Sequence, residues 1–287
     1  MAKKQTVASK KAFDFLKLKE LPPKPRHTGL VEFRGSYYSS VSHTYLENLL
    51  DDWSDYVDVL KFAGGSMRLL TPANVKKFIK IAHDHHVRVD TGGFIERIII
   101  EGPDAVDKYL EECKSLGFDI VEVSSGFAPI PVEDQIAIVK QISKLGMQPK
   151  PEISLISGAG GGTETYGYDE KITDKGLDNM INEASAHLKA GAHMLMIESE
   201  GITELPGEPG PEKWRIDVIK KLVKTFGFER LMFEAAEPQV FKWYLKNVSH
   251  DANLFIDHSQ IVEFTAWKLG LWGDKDLWKD KKAVYRK

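Results

Sequence analysis

The chain of 287 residues has one cysteine, Cys113. No intrachain disulfide can form, and such usage fits a reducing compartment. No histidine stands near Cys113 in YLEECKSLGF to activate a thiolate, so a packing role on a helix is expected. Long apolar runs are missing as well. Nothing approaches the roughly 20 residues that a membrane helix needs, so no membrane partner is expected. The basic N-terminal stretch, MAKKQTVASKKAF, has no apolar segment of the secretory kind, and a cytoplasmic location is the expectation. An excess of basic charge is also lacking. The formal net charge is −3, which argues against a general nucleic-acid binder. Two glycine fingerprints are absent. The first expected strand runs into Arg34-Gly35-Ser36, not into a dinucleotide-binding turn. The glycine run that begins at Ser157 lacks the Gly-Lys-Ser/Thr ending of a P-loop. Its amides can still cradle an anion, or the run can serve as a mobile lid.

What is present is an alternation of strand-length apolar runs with amphipathic stretches, the mark of repeated βα units around a parallel sheet. Strands are expected over residues 29–33, 57–62, 87–90, 120–123, 151–156, 194–198, 231–234 and 254–256. Helices are expected over residues 72–85, 103–116, 132–145, 178–190, 211–226, 238–247 and 262–271. Eight units favour a closed (β/α)8 TIM barrel over a doubly wound open sheet. The length suits one such domain, since these barrels typically have about 250 residues. Residues 1–26 then form an arm with a short entry helix, residues 27–273 the barrel, and residues 274–287 a tail. The tail packs on the barrel or on a neighbouring subunit, and a homo-oligomer is expected.

Barrel enzymes keep their chemistry where strands end. Here the strand ends carry Glu32 and Arg34, Lys61, Asp90 and Thr91, Glu122 and Ser124, Lys150 and Glu152, Glu198 and Glu200, Glu234, and Asp257 with His258. Buried lysines and carboxylates are costly unless paired or metal-bound, so a ring of them at one end points to a site. Lys61 in VDVLKFAGGS suits an anionic ligand, or else a partner in Glu32 or Glu122. Arg34, Ser124 and Lys150, with the backbone at Gly92 and Gly93, are the expected substrate contacts. Glu198, Glu234 and Asp257 offer the carboxylate oxygens that Mg2+ prefers. His258 is a candidate substrate contact and catalytic group. Asp257, His258 and Ser259 are adjacent and cannot form a hydrolase relay, because consecutive side chains point apart.

KFAGGS from Lys61, TGGFIE from Thr91, GFDIVEVSSGF from Gly117, MIESEG from Met196, MFEAAEP from Met232 and NLFIDHSQI from Asn253 together resemble the phosphosulfolactate synthase family. The resemblance spans most of the chain from Gly29 to Gly273. It implies a (β/α)8 barrel and a Mg2+-dependent lyase that adds sulfite to phosphoenolpyruvate on the way to coenzyme M. It also implies catalytic roles for Lys61, Glu122 and Glu152, roles at the site for Glu198 and Glu234, and a small phosphorylated anion and sulfite as partners. Two positions depart. Archaeal members read Glu-Val-Gly-Lys-Lys on strand five, where a lysine is the proposed proton donor. This chain reads Glu152-Ile153-Ser154-Leu155-Ile156. The Glu-Gly-Arg-Glu motif after strand six is replaced by Glu198-Ser199-Glu200-Gly201. The Asp-His-Ser-Gln ending of strand eight is similar to a branch that includes a plant heat-stress-associated protein. That branch implies an alternative function, a non-enzymatic scaffold, and slow or absent sulfite addition.

Overall fold

The computed structural model describes residues 11–127, 129–157, 173, 174, 176–205 and 210–273. Eight parallel strands close into a barrel. They are numbered here β1 (Val31–Arg34), β2 (Val59–Lys61), β3 (Arg88–Asp90), β4 (Ile120–Val123), β5 (Gln148–Ile153), β6 (Leu195–Ile197), β7 (Leu231–Glu234) and β8 (Asn253–Asp257). Each is paired with the next and β8 closes on β1, with Val31 to Arg34 opposite Leu254 to Asp257. No helix among the described residues is long and apolar enough to cross a membrane.

Period-two alternation along every strand separates two cores. Outward residues such as Phe33, Val121, Val123, Leu195, Ile197, Phe233, Leu254 and Ile256 join the helices in one large apolar shell. The inward residues Leu30, Met194, Met196, Met232 and Phe255 form a separate cluster within the barrel. Those inward positions lie on β6, β7 and β8 or just before β1 and β6. Inward positions of β1 to β5 carry instead Glu32, Lys61, Asp90, Glu122 and Lys150, all buried. The barrel interior is therefore apolar on one side and ionic on the other.

Lys150 organises the ionic side. Its Nζ lies 2.6 Å from Glu32, 2.5 Å from Asp90 and 3.2 Å from Glu122. Its hydrogen bonds go to the two oxygens of Glu32, at 2.7 and 2.6 Å, while Asp90 and Glu122 lie beside it as ion-pair partners. The neighbouring acids hold the Lys150 ammonium above its ordinary proton affinity, against the opposing effect of burial.

Several boundaries differ from expectation. β5 runs three residues earlier than the expected 151–156, so Lys150 lies mid-strand and Glu152 near its end. Leu155 and Ile156 lie past the barrel strand and pack into the outer apolar shell. Ile156 and Ser157 pair antiparallel with Asp174 and Thr173. Two prolines lie near the strand start. Gln148 N–H bonds Asp119 O, on the β4 side. Alternate residues face alternate neighbours, so the missing N–H groups of Pro149 and Pro151 face β6. On that side β5 is paired only at Glu152 and Ile153. The prolines therefore leave the β4–β5 ladder intact.

Two helices were not expected. The helix His43–Trp53 is capped by the Ser42 side chain, which accepts from Tyr45 N–H, and it buries Leu46 and Leu50. A short helix, Ile95–Ile99, follows β3. The helix before β7 starts at Ile216, not at residue 211. Residues 11–26 contain turns and no helix. The expected arm residues 1–10, the glycine run from 158 to 162, and the tail from 274 to 287 lie outside the described residues.

Replacing Lys150 with methionine leaves three buried carboxylates without their shared cation. Removing one partner of a buried pair typically costs about 3 to 5 kcal/mol. Urea unfolding of Lys150→Met is expected to show a loss of that order. A loss under about 1 kcal/mol would mean that the carboxylates hold protons and not charge.

Candidate active site

At the C-terminal mouth the strands enclose a cavity of about 970 Å3. Arg34, Lys61, Gly92, Gly93, Glu122, Ser124, Glu152, Glu198, Glu234 and Asp257 all line it. Of the strand-end residues expected at the site, Glu32, Asp90, Thr91, Lys150 and His258 do not line it. Lys150 lies in the ion cluster described above. His258 is held at both ring nitrogens, Nε2 at 2.9 Å from Ser39 Oγ and Nδ1 at 2.9 Å from Tyr45 OH. It ties the strand-eight turn to the segment after β1.

Lys61 reaches 2.7 Å from Glu122 and 3.6 Å from Glu32. Its Nζ also stands 4.2 Å from the centre of the Phe255 ring. Burial opposes its charge, but Glu122, Glu32 and Asp90 outweigh that and hold it firmly protonated. Lys61 is thus paired inward and also forms part of the cavity lining. Arg34, at the end of β1, pairs with Glu234 at 3.0 Å through Nη2. Its guanidinium lies over the Tyr38 ring at 4.8 Å. The other arm, Nη1, is buried and has no hydrogen-bond partner among the described residues.

The two glycines behave differently. Gly92 adopts φ +63, and a Cβ there would meet Phe62 O at 2.6 Å, so the turn after β3 requires glycine. Its N–H donates to Asp90 Oδ1 at 2.9 Å. That amide is already engaged and is not the free anion contact expected from sequence. Gly93 packs against Ser124, where a Cβ would lie 3.1 Å from the serine Cβ. Asp257 spends Oδ1 on Ser259 N–H and Oγ, capping the next turn.

The site has members that the sequence reading passed over. Glu96, on the short helix after β3, accepts from Gly126 N–H at 3.0 Å and Phe127 N–H at 2.7 Å. It also bonds Ser124 Oγ, which stands 2.7 Å from Glu152. Ser199 Oγ reaches Glu204 at 2.8 Å and Glu234 at 3.3 Å. Both were within reach of the sequence, since TGGFIE contains Glu96 and MIESEG contains Ser199. Nothing in their spacing marked them, because neither ends a strand.

Carboxylates dominate this mouth. Glu96, Glu122, Glu152, Glu198, Glu200, Glu204, Glu234, Glu237 and Asp257 face the cavity against Arg34, Lys61 and Arg97. Burial first, and then the charges of Glu234 and Glu152, raise the Glu198 carboxyl well above its usual range. Glu234 stays ionised. Burial opposes that, but the hydrogen bond from Glu198 and the charge of Arg34 hold it at about 2. One proton is thus shared by the pair and resides on Glu198. Burial and then Glu122 push Glu152 up to about 8. Crowded hard oxygen donors that retain protons are what a divalent cation site looks like without its cation. Glu198 and Glu234 thus present hard oxygen atoms of the kind that divalent cations prefer.

The deeper triad Glu32, Asp90 and Glu122 also has oxygens close enough together to hold a metal ion. In the structure the Lys150 ammonium sits among them and supplies the positive charge.

The family model of (2R)-phospho-3-sulfolactate synthase (ComA) matches residues 19–274. The chain belongs to this family. Among curated proteins it is 32% identical over 272 residues to heat-stress-associated 32 of Arabidopsis thaliana, covering 92% of each chain. It is 26% identical over 275 residues to phosphosulfolactate synthase of Methanothermobacter thermautotrophicus, covering 92% of this chain and 96% of that one. Among solved structures, 3-keto-L-gulonate-6-phosphate decarboxylase of Vibrio cholerae is 14% identical with a TM-score of 0.52, over 86% of this chain and 100% of that one. At that identity it shows the barrel alone.

In this member of the phosphosulfolactate synthase family, a raised Glu152 has a consequence for stability. The folded carboxyl keeps its proton to about pH 8, whereas the unfolded one loses it near 4.5. Between those values the folded state binds more protons, so this group's contribution makes stability fall as pH rises. Glu152→Gln is expected to flatten the decline in melting temperature between pH 5 and 8 and to be more stable than the native chain at pH 8.5. An unchanged slope would show that Glu152 is ionised throughout.

Proposed function

We propose that this family member is a metal-dependent lyase of the phosphosulfolactate synthase kind. In this reading it joins a nucleophile such as sulfite to phosphoenolpyruvate or to a related small phosphorylated acid. The observation that carries the reading is the enclosed mouth. Lys61 and Arg34 line it together with Glu152, Glu198 and Glu234, carboxyls crowded enough to hold protons or a cation.

Each group then has a task. Arg34 Nη1 and Lys61 bind the anionic oxygens of the substrate. Glu198 and Glu234 would hold Mg2+, which when bound supplies positive charge against the substrate carboxylate. Sulfite sulfur bonds to C3 of the enol phosphate, and the double-bond pair moves toward C2 and the carboxylate. Glu152, neutral near pH 7, gives its proton to C2 and is reprotonated from water. A general acid whose proton affinity lies near the working pH suits that step.

The archaeal lysine positions offer no such group here. Leu155 is 1% exposed in the outer shell, away from the cavity lining. Leu155→Lys would bury an ammonium among apolar side chains rather than restore a donor.

The test is formation of phosphosulfolactate from phosphoenolpyruvate and sulfite with Mg2+. Turnover is expected in the native chain and a loss of about 10²- to 10⁴-fold in Glu152→Gln, the usual worth of a general acid. No turnover would sink the lyase reading. It would favour the second one, a non-enzymatic scaffold, which the 32% identity to the heat-stress-associated protein supports. Binding is a separate prediction. Arg34→Lys keeps a charge beside Glu234 but loses the second arm. Hydrogen bonds to charged groups are worth roughly 1.5 to 3 kcal/mol. Calorimetric titration with phosphoenolpyruvate and Mg2+ should show at least about tenfold weaker Kd. Equal affinity would remove Arg34 from the site.

A further inference from the structure

Ser124 stands between two carboxyl groups. Its Oγ is 2.7 Å from Glu152 Oε1 and is also hydrogen-bonded to Glu96 Oε1. A serine hydroxyl has one proton and can donate to one of them only. Two ionised carboxylates on one hydroxyl would leave a bare oxygen–oxygen contact in a buried place, with Ser124 only 2% exposed. The arrangement therefore contains one further proton. Its location follows from the other partners. Glu96 accepts a backbone N–H on each oxygen, from Gly126 on Oε1 and Phe127 on Oε2. Donors on both oxygens favour the ionised form. Glu152 has no such N–H donors among its described hydrogen bonds. It is faced by Glu122 on β4, Glu198 beyond β6 and Glu234 on β7, with Lys61 on β2 the opposing cation. With no such N–H donor on it, Glu152 is the carboxyl of the pair that keeps the proton.

We propose that Glu96 is a positioning residue that, by accepting the Ser124 hydroxyl proton, fixes Glu152 as the neutral, proton-bearing acid of the mouth. The chain of donation runs from Glu152 Oε–H to Ser124 Oγ, and from Ser124 O–H to Glu96. Its catalytic meaning rests on the lyase reading above, but the direction of donation does not. Glu96 touches no substrate in this scheme. It also anchors Gly126 and Phe127, so the loop after β4 and the proton on Glu152 are set by the same carboxylate.

The logic gives two variants opposite outcomes. In Glu96→Gln the amide oxygen keeps Phe127 N–H, the shorter of the two backbone bonds, and the amide N–H gives up the Gly126 contact and donates to Ser124, so the hydroxyl turns to donate to Glu152 and the ionised form of Glu152 gains a partner. In Ser124→Ala that partner is gone, and Glu152 stays neutral among its acidic neighbours. Infrared difference spectra of the resting full-length protein at pH 7 read the protonated carboxyl directly, with Glu152→Gln assigning its band. The expected result is a Glu152 band in the native chain and in Ser124→Ala, and at least a severalfold loss of it in Glu96→Gln. A band that survives Glu96→Gln, or is lost equally in both variants, overturns the assignment. A native spectrum unchanged by Glu152→Gln does so without either variant. Because the measurement uses no substrate, failure of sulfite addition leaves it standing, and its own failure does not touch the turnover assay.

Discussion

The contact on which the site depends is the Lys150 ammonium between Glu32, Asp90 and Glu122. Each of those carboxylates has a second duty. Asp90 receives the Gly92 N–H and so sets the turn after β3. Glu122 receives Lys61 at the cavity floor. Glu32 lies between both lysines. One cation on β5 thus fixes side chains from three other strands, and it does so without lining the cavity itself. Charge is tolerable there because each carboxylate lies against an ammonium. A buried ion cluster of this kind adds little net stability over apolar packing, but it strongly penalises incomplete assembly.

The two-sided interior explains the acidity of the mouth. On the apolar side, Met194, Met196, Met232 and Phe255 offer Glu198 and Glu234 no counter-charge from below. On the ionic side, the two lysines are already committed to the deep carboxylates. Among the described residues, Arg34 bridges across, to Glu234. Glu198 and Glu152 settle the excess charge by retaining protons. A neutral acid at the mouth is in this sense a product of how the cations below it are distributed.

Much of this was readable from the sequence. The βα alternation gave eight strands and a closed barrel, and strand-end position picked out Lys61, Glu122, Glu152, Glu198 and Glu234, which do converge on one mouth. The failures have physical causes. Strand five was expected over 151–156, and the structure starts it at Gln148, because Pro149 and Pro151 turn their missing N–H groups toward β6, where the pairing involves only Glu152 and Ile153. The helix His43–Trp53 had a Ser42 cap and a Leu46, Leu50, Trp53 spacing, and both signals were available. His258 ended a strand like the others, but no local pattern could disclose Ser39 and Tyr45 as its partners. Glu96 and Ser199 act through loops, and their contacts are set by tertiary geometry that periodicity does not encode. The free Gly92 amide was expected because glycine suggested an open backbone, and the structure spends it on Asp90.

The two prolines of β5 have a wider consequence. With their N–H groups missing, β5 and β6 are fastened at Glu152 and Ile153 alone, at the level of the mouth. The last bond of that fastening runs from Glu198 N–H to Ile153 O. The girdle of the barrel is therefore completed by the same short stretch of chain that carries two of its principal acids. Closure of the cylinder and assembly of its acidic face are one event. A chain that has shut its barrel has by that act brought Glu152 and Glu198 to the same rim.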